Sequence, residues 1–348
     1  MWTVRVALIG RKHRPAASSQ ARGGPAGVVH LLKRGALFVL LVAVAGCAGS
    51  PLEVSDRQNP ARTSPARTHA QATTRPPIRR QLATASPNPR PRCGNQRAAG
   101  LVVLALPGGR RALLAVPAGD GHHRLSLVIA LPGYGQTAEA LAAQSRLPAR
   151  ALATGVLAVL PQGAGSAKSW NFSGTTGHDD LGFLSALVTQ LAASDCADPG
   201  RVVITGISDG GDMAAFAACA LPGRFQAVVT VAASFDPPVG CRRMRIVAIH
   251  GDGDPVDPYD GGPDGRPGYP AIPPAAAAIA AWAAGNGCST ATTITVASHI
   301  SVTRYPCGAE LVTVHGGGHT WPGGTPVDPR LGVTTGEYDA TATILGLG

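Results

Sequence analysis

The sequence predicts an α/β protein with a mostly parallel, doubly wound β-sheet, helices on both faces and an antiparallel hairpin at the start. The hairpin is indicated by two apolar runs, residues 101–106 and 112–116, which are joined by the turn-forming segment Pro107-Gly108-Gly109-Arg110. After the hairpin, strand-like and helix-like runs alternate along the chain. This alternation is typical of a parallel sheet covered by crossover helices.

The remaining elements follow from local composition. Runs of aliphatic and β-branched residues predict buried strands at 125–131, 155–160, 201–206, 227–233 and 245–251. Runs rich in alanine and leucine predict helices at 137–152, 179–194, 210–221 and 272–286. Internal repeats and coiled-coil heptads are absent from the sequence.

Residues 1–46 are predicted to be a leader. The apolar run 35–46 follows Lys33-Arg34 and is too short for a membrane span, so it fits the hydrophobic part of a secretory signal. The segment Val44-Ala45-Gly46-Cys47 resembles a bacterial lipobox, which predicts lipidation at Cys47 and a membrane anchor there. Ordinary signal cleavage beside a bystander cysteine is the alternative.

Two further expectations concern the chain before the folded domain. Signal peptides seldom carry some thirty residues ahead of their charged region, so the true start is expected near Val28 or Val29. Residues 47–92 are dominated by Pro, Ser, Thr, Arg and Ala and cannot bury enough apolar surface to fold, which predicts a flexible tether. The folded domain is expected at 93–348.

The net charge of +10 is unevenly distributed. Residues 1–92 contain 15 Lys/Arg and 2 Asp/Glu, whereas residues 93–348 contain 15 Lys/Arg and 18 Asp/Glu. The basic excess is therefore confined to the leader and tether, and the sequence argues against nucleic acid as a partner. The six cysteines after Cys47 predict disulfides in an exported protein, with 15 connectivities open on count alone: Cys93, Cys196, Cys219, Cys241, Cys288 and Cys307.

The stretch Gly206-Ile207-Ser208-Asp209-Gly210 fits the pattern G-x-S-x-G between a predicted strand and a predicted helix. This context is typical of a nucleophile elbow, in which the serine lies on a strained turn and the glycines avoid collision with neighbouring backbone. A hairpin followed by a doubly wound sheet with this elbow is the α/β-hydrolase layout. A chance match in a glycine-rich chain is the alternative interpretation.

A serine nucleophile needs an acid and a base later in the chain. Four carboxylates follow the strand at 245–251 and compete for the role of acid: Asp252, Asp254, Asp257 and Asp260. A calcium loop is disfavoured there, because Val256 stands where an EF-hand needs an oxygen ligand. His319 lies in a glycine-rich loop past a strand and is freer to reach the serine than His315 at the strand end.

Together with the loop after strand 125–131, these segments resemble a family of secreted α/β-hydrolases that includes polyhydroxybutyrate depolymerases and feruloyl or acetyl-xylan esterases. The resemblance covers roughly residues 93–348. The four similar segments are LPGYGQTAE (HG-x-GQ in the family), GISDGGDMA (G-x-SNGG-x-MA), HGDGDPVDPYDGG (HGT-x-DP-x-x-PY-x-GG) and GGGHTWPGG (GGGH-x-WP-G).

The resemblance implies roles for particular residues. Ser208 is the implied nucleophile, Asp254 the triad acid and His319 the general base. The backbone N–H groups of Tyr134 and Asp209 are the implied oxyanion hole. The family pattern also implies disulfides Cys288–Cys307 and Cys219–Cys241, which leaves Cys93 with Cys196 by elimination.

Two positions depart from the family pattern. Pro132 replaces a usual histidine in the oxyanion loop, and Asp209 replaces a usual asparagine beside the serine. A carboxylate at 209 opposes a developing oxyanion unless it is turned away or hydrogen-bonded, so Asp209→Asn is expected to hold or raise kcat. Trp170 and Trp321 lie near these motifs and are predicted either to contact substrate or to pack in the core.

These observations predict a secreted, lipid-anchored serine carboxylesterase that works through an acyl-enzyme without metal or cofactor. Its partners are expected to be a small-molecule or polymeric ester and, through Cys47, a membrane, and the chain is expected to be a monomer in the cell envelope or outside the cell. A serine peptidase is the alternative enzyme. A non-catalytic carbohydrate- or polymer-binding protein on the same scaffold is the alternative from another class.

Overall fold

A computed structural model describes residues 97–119 and 123–348. All of them fall in Leu82–Gly348, one of the two units into which the chain divides. The predicted leader and tether, including Cys47, lie outside the described residues, as does Cys93. Among the described residues, no helix is long and apolar enough to cross a membrane.

The sheet agrees with the prediction. All seven predicted strands are present, and three more follow near the C-terminus. The ten strands found within the described residues are β1 (Gly100–Ala105), β2 (Arg111–Val116), β3 (Leu125–Leu131), β4 (Leu157–Pro161), β5 (Ala197–Ile207), β6 (Ala227–Val231), β7 (Arg245–Gly251), β8 (Thr292–Ala297), β9 (Ile300–Tyr305) and β10 (Ala309–Val314).

The strands form one sheet in the order β1-β2-β4-β3-β5-β6-β7-β10-β9-β8. In this sheet order, the six neighbouring strands β4-β3-β5-β6-β7-β10 pair in parallel. The pairs at both edges are antiparallel, and β1–β2 and β8–β9 are hairpins. The carboxyl ends of β5, β7 and β10 therefore lie at the same edge of the sheet. The loops after these three strands carry the serine, the acids and the histidine.

The described residues contain six α-helices: α1 (Ala138–Ser145), α2 (Leu147–Thr154), α3 (Asp180–Ser194), α4 (Asp209–Ala220), α5 (Ala275–Gly285) and α6 (Ala340–Leu345). The single helix predicted at 137–152 is in fact two. The chain breaks at Arg146, whose φ is 55°. Pro148 explains the break, because a proline inside a continuous helix lacks an N–H and collides with the carbonyl four residues earlier.

Both faces of the central strands are buried, whereas the edge strands β1 and β8 are largely exposed. Along β3, Leu127 and Ile129 belong to one core cluster, whereas Val128 and Ala130 belong to the other. The continuous apolar run predicted for this strand is thus explained by helices packed on both sides.

Two of the predicted disulfides are present. Cys219–Cys241 joins the end of α4 to the segment before β7, and Cys288–Cys307 joins the segment after α5 to the turn between β9 and β10. Cys196 is also disulfide-bonded. Disulfides persist in oxidising compartments, so this bonding points to an extracellular protein.

Candidate active site

Ser208 lies on a strained turn between β5 and α4, with φ 55° and ψ −131°. Both flanking glycines are required sterically. A Cβ at Gly206 would lie 2.2 Å from the carbonyl oxygen of Gly210, and a Cβ at Gly210 would lie 2.2 Å from that of Leu131. The strand, the turn and the helix start therefore have the geometry of a nucleophile elbow.

Asp254 and His319 are in contact. Nδ1 of His319 lies 2.8 Å from Oδ2 of Asp254, and both side chains are almost fully buried. The other oxygen of Asp254 accepts hydrogen bonds of 2.8 Å from the backbone N–H groups of Val256 and Asp257. With Nδ1 donating to a fixed carboxylate, Nε2 of His319 is the nitrogen left to accept a proton.

Ser208 and His319 line the same cavity of about 540 Å³. Within the part of the chain that the structure describes, the Ser208 hydroxyl makes no hydrogen bond. In structures without substrate, catalytic hydrogen bonds are often long and shorten only in the reacting complex.

A second histidine contacts the same acid. Nε2 of His250, at the end of β7, lies 3.5 Å from Oδ2 of Asp254 and donates to the backbone carbonyl of Asp257 over 2.8 Å. Burial alone would raise the pKa of Asp254, but hydrogen bonds from His250 and His319 reverse this and hold that pKa well below its usual range. The acid of the candidate triad is therefore ionised at neutral pH.

The four competing carboxylates occupy different environments. Asp254 contacts His319, whereas Oδ2 of Asp252 lies 2.8 Å from Nδ1 of His315. Asp252 also accepts a hydrogen bond from the N–H of Gly316, which ties the acid loop to the histidine loop. Asp257 is buried beside the cavity, and Asp260 is exposed.

The loop after β3 lies against the elbow. A Cβ at Gly133 would be 3.4 Å from Cβ of Ser208, so the next residue, Tyr134, is close to the serine. Oε1 of Gln136 accepts the N–H of Gly133 over 2.9 Å, and its amide group donates to Gln144 on α1. These two hydrogen bonds of the Gln136 amide, called here the Gln136–Gln144 brace, hold the loop. In this chain Pro132 stands where the family pattern has a histidine.

Several backbone N–H groups near Ser208 have no partner among the described residues, and two of them are at the predicted oxyanion-hole positions. These two belong to Tyr134 and to Asp209, the first residue of α4, where the helix leaves N–H groups without intrahelical acceptors. The structure thus places both predicted oxyanion-hole residues beside the serine with free donors.

Comparisons with known proteins place this chain in a family. Residues 145–238 match the model of the prolyl oligopeptidase family. The chain is 31% identical to "Putative esterase NocK" from Nocardia uniformis subsp. tsuyamanensis, over 89% of this chain and 95% of that relative. The chain belongs to the α/β-hydrolase esterase family.

In structure, this esterase is similar to the acetyl xylan esterase from Aspergillus awamori. The TM-score is 0.50 at 16% identity, and the match covers 67% of this chain and 97% of that one. At that identity the likeness supports the α/β-hydrolase fold alone.

In this esterase the carboxylate at position 209 is fully buried and paired. Its Oδ1 accepts from Nη1 of Arg266 over 2.7 Å, and its Oδ2 accepts from the backbone N–H of Trp170 over 2.9 Å. Burial raises the pKa of Asp209, while the bonds from Arg266 and Trp170 oppose that rise. Asp209 is therefore a hydrogen-bonded carboxylate, and a carboxylate held in this way need not oppose a developing oxyanion.

The two tryptophans do not contact the cavity. Both are 0% exposed. The indole N–H of Trp170 donates to the carbonyl of Pro132, and that of Trp321 donates to Oγ1 of Thr341. The hypothesis of substrate contact is corrected accordingly: these side chains pack behind the loops that shape the site.

Three features of the site were not predicted from the sequence: Arg266, His250 and the Gln136–Gln144 brace. Arg266 lies in a segment rich in glycine and proline without periodicity, so nothing local indicates that it reaches Asp209. Within residues 97–119 and 123–348, no group of three His, Cys, Asp or Glu side chains could hold a metal ion.

Proposed function

We propose that this esterase is a serine carboxylesterase in which Ser208, His319 and Asp254 form the catalytic triad. The observation that carries the proposal is the 2.8 Å contact between Asp254 and His319, whose ring lines the same cavity as the strained Ser208. The order Ser, Asp, His along the chain is the one found in α/β-hydrolases.

The proposed reaction has two stages. Ser208 Oγ attacks the ester carbonyl and its proton passes to Nε2 of His319, while Asp254 stabilises the imidazolium that forms. The leaving alkoxide takes that proton and departs as the alcohol, which leaves an acyl-enzyme on Ser208. Water then attacks the acyl carbon with His319 again as base, and the carboxylic acid is released.

The free N–H groups of Tyr134 and Asp209 are the proposed donors to the oxyanion in both stages. Such donors act strongly because they are already oriented before charge develops, and removal of one typically costs about 10²–10³ in kcat. The Gln136 brace on Gly133 supports that orientation, since it limits the movement of the loop that carries Tyr134.

The proposed substrates are polyhydroxyalkanoate-, feruloyl- or acetyl-type esters, as the sequence motifs imply. The cavity is open and mixed in character, with apolar side chains beside charged ones. Its volume of about 540 Å³ suits an acyl or alcohol group of moderate size.

A serine peptidase is the second candidate, favoured by the match of residues 145–238 to the prolyl oligopeptidase family. Hydrolysis of proline-containing or other p-nitroanilide peptides in preference to esters would support it. A non-catalytic binding protein is disfavoured, because the contacting acid and histidine and the strained serine serve no evident purpose in binding alone.

We also propose that the protein is exported, cleaved after the leader 1–46 and anchored through lipid on Cys47, with residues 47–92 as a tether to a monomeric domain at 93–348. The disulfides Cys219–Cys241 and Cys288–Cys307 support export.

The decisive experiment compares wild type with Ser208→Ala on p-nitrophenyl esters of increasing acyl length and on feruloyl and hydroxybutyrate esters. We expect kcat to fall by about 10⁴-fold or more, because binding and oxyanion stabilisation alone remain. Circular dichroism should show an intact fold. Near-wild-type activity of Ser208→Ala, or loss of wild-type activity in EDTA, would overturn the proposal.

A further inference from the structure

The cavity beside Ser208 has one wall that carries an unsatisfied carboxylate. Asp257 lines this cavity together with Ser208 and His319, yet its side chain is only 9% exposed. Its Oδ1 is buried without a hydrogen-bond partner. A buried polar group left unpaired loses its hydration without compensation, so proteins rarely retain one without a ligand or a function.

The groups around Asp257 leave that carboxylate without a donor. Nε2 of His250 lies 3.7 Å from its Oδ1, beyond hydrogen-bond distance, and instead donates to the backbone carbonyl of the same residue over 2.8 Å. Asp254, three residues earlier, directs its own oxygens to backbone N–H groups and to His319. Within the described chain the Asp257 side chain therefore accepts no hydrogen bond, although His250 lies 3.7 Å from Oδ1 and the buried carboxyl of Asp212 interacts with it electrostatically.

Among the described residues, the rest of the cavity wall offers no free cation. Arg266 also lines the cavity, but its guanidinium bonds to Asp209 over 2.7 Å and to both oxygens of Asp264 over 2.6 Å. With Asp257 and Asp264 ionised, the formal charge of the lining is −1, from two carboxylates and one guanidinium. An anionic substrate group finds no unoccupied positive partner there.

We propose that Asp257 is a specificity-determining residue that accepts a hydrogen bond from a hydroxyl or ammonium group of the substrate close to the scissile ester. The inference rests on the proposed esterase function. It selects, within the esters, those that carry a donor near the reacting carbonyl, and it predicts rejection of esters that carry a free carboxylate. Because Oδ1 is buried toward His250, the donor would bond to the other carboxylate oxygen, which also makes no hydrogen bond within the described residues.

The test uses matched esters with the full-length purified protein at pH 8. On the acyl side they are methyl butyrate, methyl 3-hydroxybutyrate, methyl 3-aminobutyrate and monomethyl succinate. On the alcohol side they are propyl acetate and 2-hydroxyethyl acetate. Release of acid is titrated, and kcat/KM is compared within each set. Comparison of the hydroxyl-bearing and ammonium-bearing esters with the unsubstituted ester shows which of the two groups is the donor.

Wild type is expected to prefer at least one donor-bearing ester over its unsubstituted match by about 10-fold, and to disfavour monomethyl succinate. Asp257→Leu should bring these ratios close to one while retaining hydrolysis of the unsubstituted esters. Asp257→Asn should lose the ammonium preference and the rejection of succinate, since the amide keeps an acceptor but not the charge. Should Asp257→Leu fail to fold, Asp257→Asn carries the test alone.

Asp260→Asn is the matched control, because Asp260 is an exposed carboxylate in the same loop and does not line the cavity. It should leave every ratio unchanged. Equal kcat/KM for all esters in wild type, or the same ratios in wild type and both Asp257 variants, would overturn the inference. An equal loss on every ester in the Asp257 variants would assign the carboxylate to support of His250 instead. Absence of any ester hydrolysis, by contrast, would count against the proposed function itself.

Discussion

Asp209 Oδ1 lies 2.7 Å from Nη1 of Arg266, and this contact places a cation against the residue that follows the nucleophile. The carboxylate is fully buried, whereas the guanidinium is 27% exposed and packs over the ring of Tyr269 at 3.8 Å. The pair neutralises a charge that would otherwise oppose the oxyanion. It also joins the segment before α5 to the start of α4.

Asp209→Asn is therefore expected to lower kcat by about 3- to 10-fold, and not to hold or raise it as the sequence alone predicted. An asparagine can accept only one of the two donors, Arg266 or the N–H of Trp170, and its amide group faces the other as a second donor. Steady-state kinetics with a p-nitrophenyl ester measures the change. An unchanged or raised kcat would restore the prediction from sequence.

The same pair predicts a coupling in stability. Arg266→Met leaves a buried carboxylate without its counter-charge, and we expect a loss of about 2 kcal/mol in the free energy of unfolding, reduced from the value for a fully buried pair by the partial exposure of Arg266. The double variant Asp209→Asn/Arg266→Met should lose less than the sum of the two single changes. Urea unfolding of the four proteins tests this, and strict additivity would show that the two side chains do not interact.

Three of the four acids in the loop after β7 should differ in their effect on catalysis. Asp254→Asn is expected to lower kcat by about 10⁴-fold, because the amide cannot hold His319 in the tautomer that accepts the serine proton. Asp252→Asn should cost far less, since it weakens only the contacts with His315 and Gly316. Kinetics on one unsubstituted ester compares these with Asp257→Asn, and equal losses at all three positions would mean that the loop is structural.

Asp257 should also make stability depend on pH. Burial raises the pKa of Asp257 to about 6. The neighbouring carboxylates Asp254 and Asp264 act in the same direction, while His250 and His319 oppose it. The folded protein therefore binds this proton more tightly than the unfolded chain, whose carboxyl has a pKa of about 3.9.

It follows that the contribution of Asp257 to stability is largest below about pH 4 and declines as the pH rises to about 6, by on the order of 2–3 kcal/mol. Asp257→Asn should be more stable than wild type at pH 7 and nearly equal to it at pH 4. Burial and the charge of Asp257 both raise the pKa of the buried neighbour Asp212, so Asp257→Asn also lowers the pKa of Asp212 and the measured difference includes this coupling. Denaturant unfolding at the two pH values measures the difference, and a pH-independent difference would contradict the assignment.

The lipid anchor predicted at Cys47 is tested in a bacterial host that lipidates exported proteins. The mature protein should partition with membranes, and Cys47→Ala should release it or leave it unprocessed, because lipidation requires the thiol. Fractionation and immunoblotting measure the distribution. Identical fractionation of the two proteins would indicate a plain secreted enzyme.

The sequence by itself determined seven of the ten strands found in the described residues and the position of the elbow. Strands with continuous apolar runs, such as β3, are predictable because both of their faces are buried, and Ser208 is recognisable because only glycine fits at positions 206 and 210. The acid and the base were nameable through motif resemblance. Residue spacing alone left four carboxylates and two histidines open.

Only the tertiary structure decided which acid meets which histidine and what surrounds them. Asp252 and Asp254 are two residues apart but face different histidines, because successive side chains leave a loop in different directions. Arg266 lies 57 residues from Asp209 along the chain, and the buried pair forms only when the segment before α5 folds over the elbow. Trp170 and Trp321 became core residues for the same reason. Burial is a property of the assembled fold, and local sequence does not encode which side chains other segments will cover.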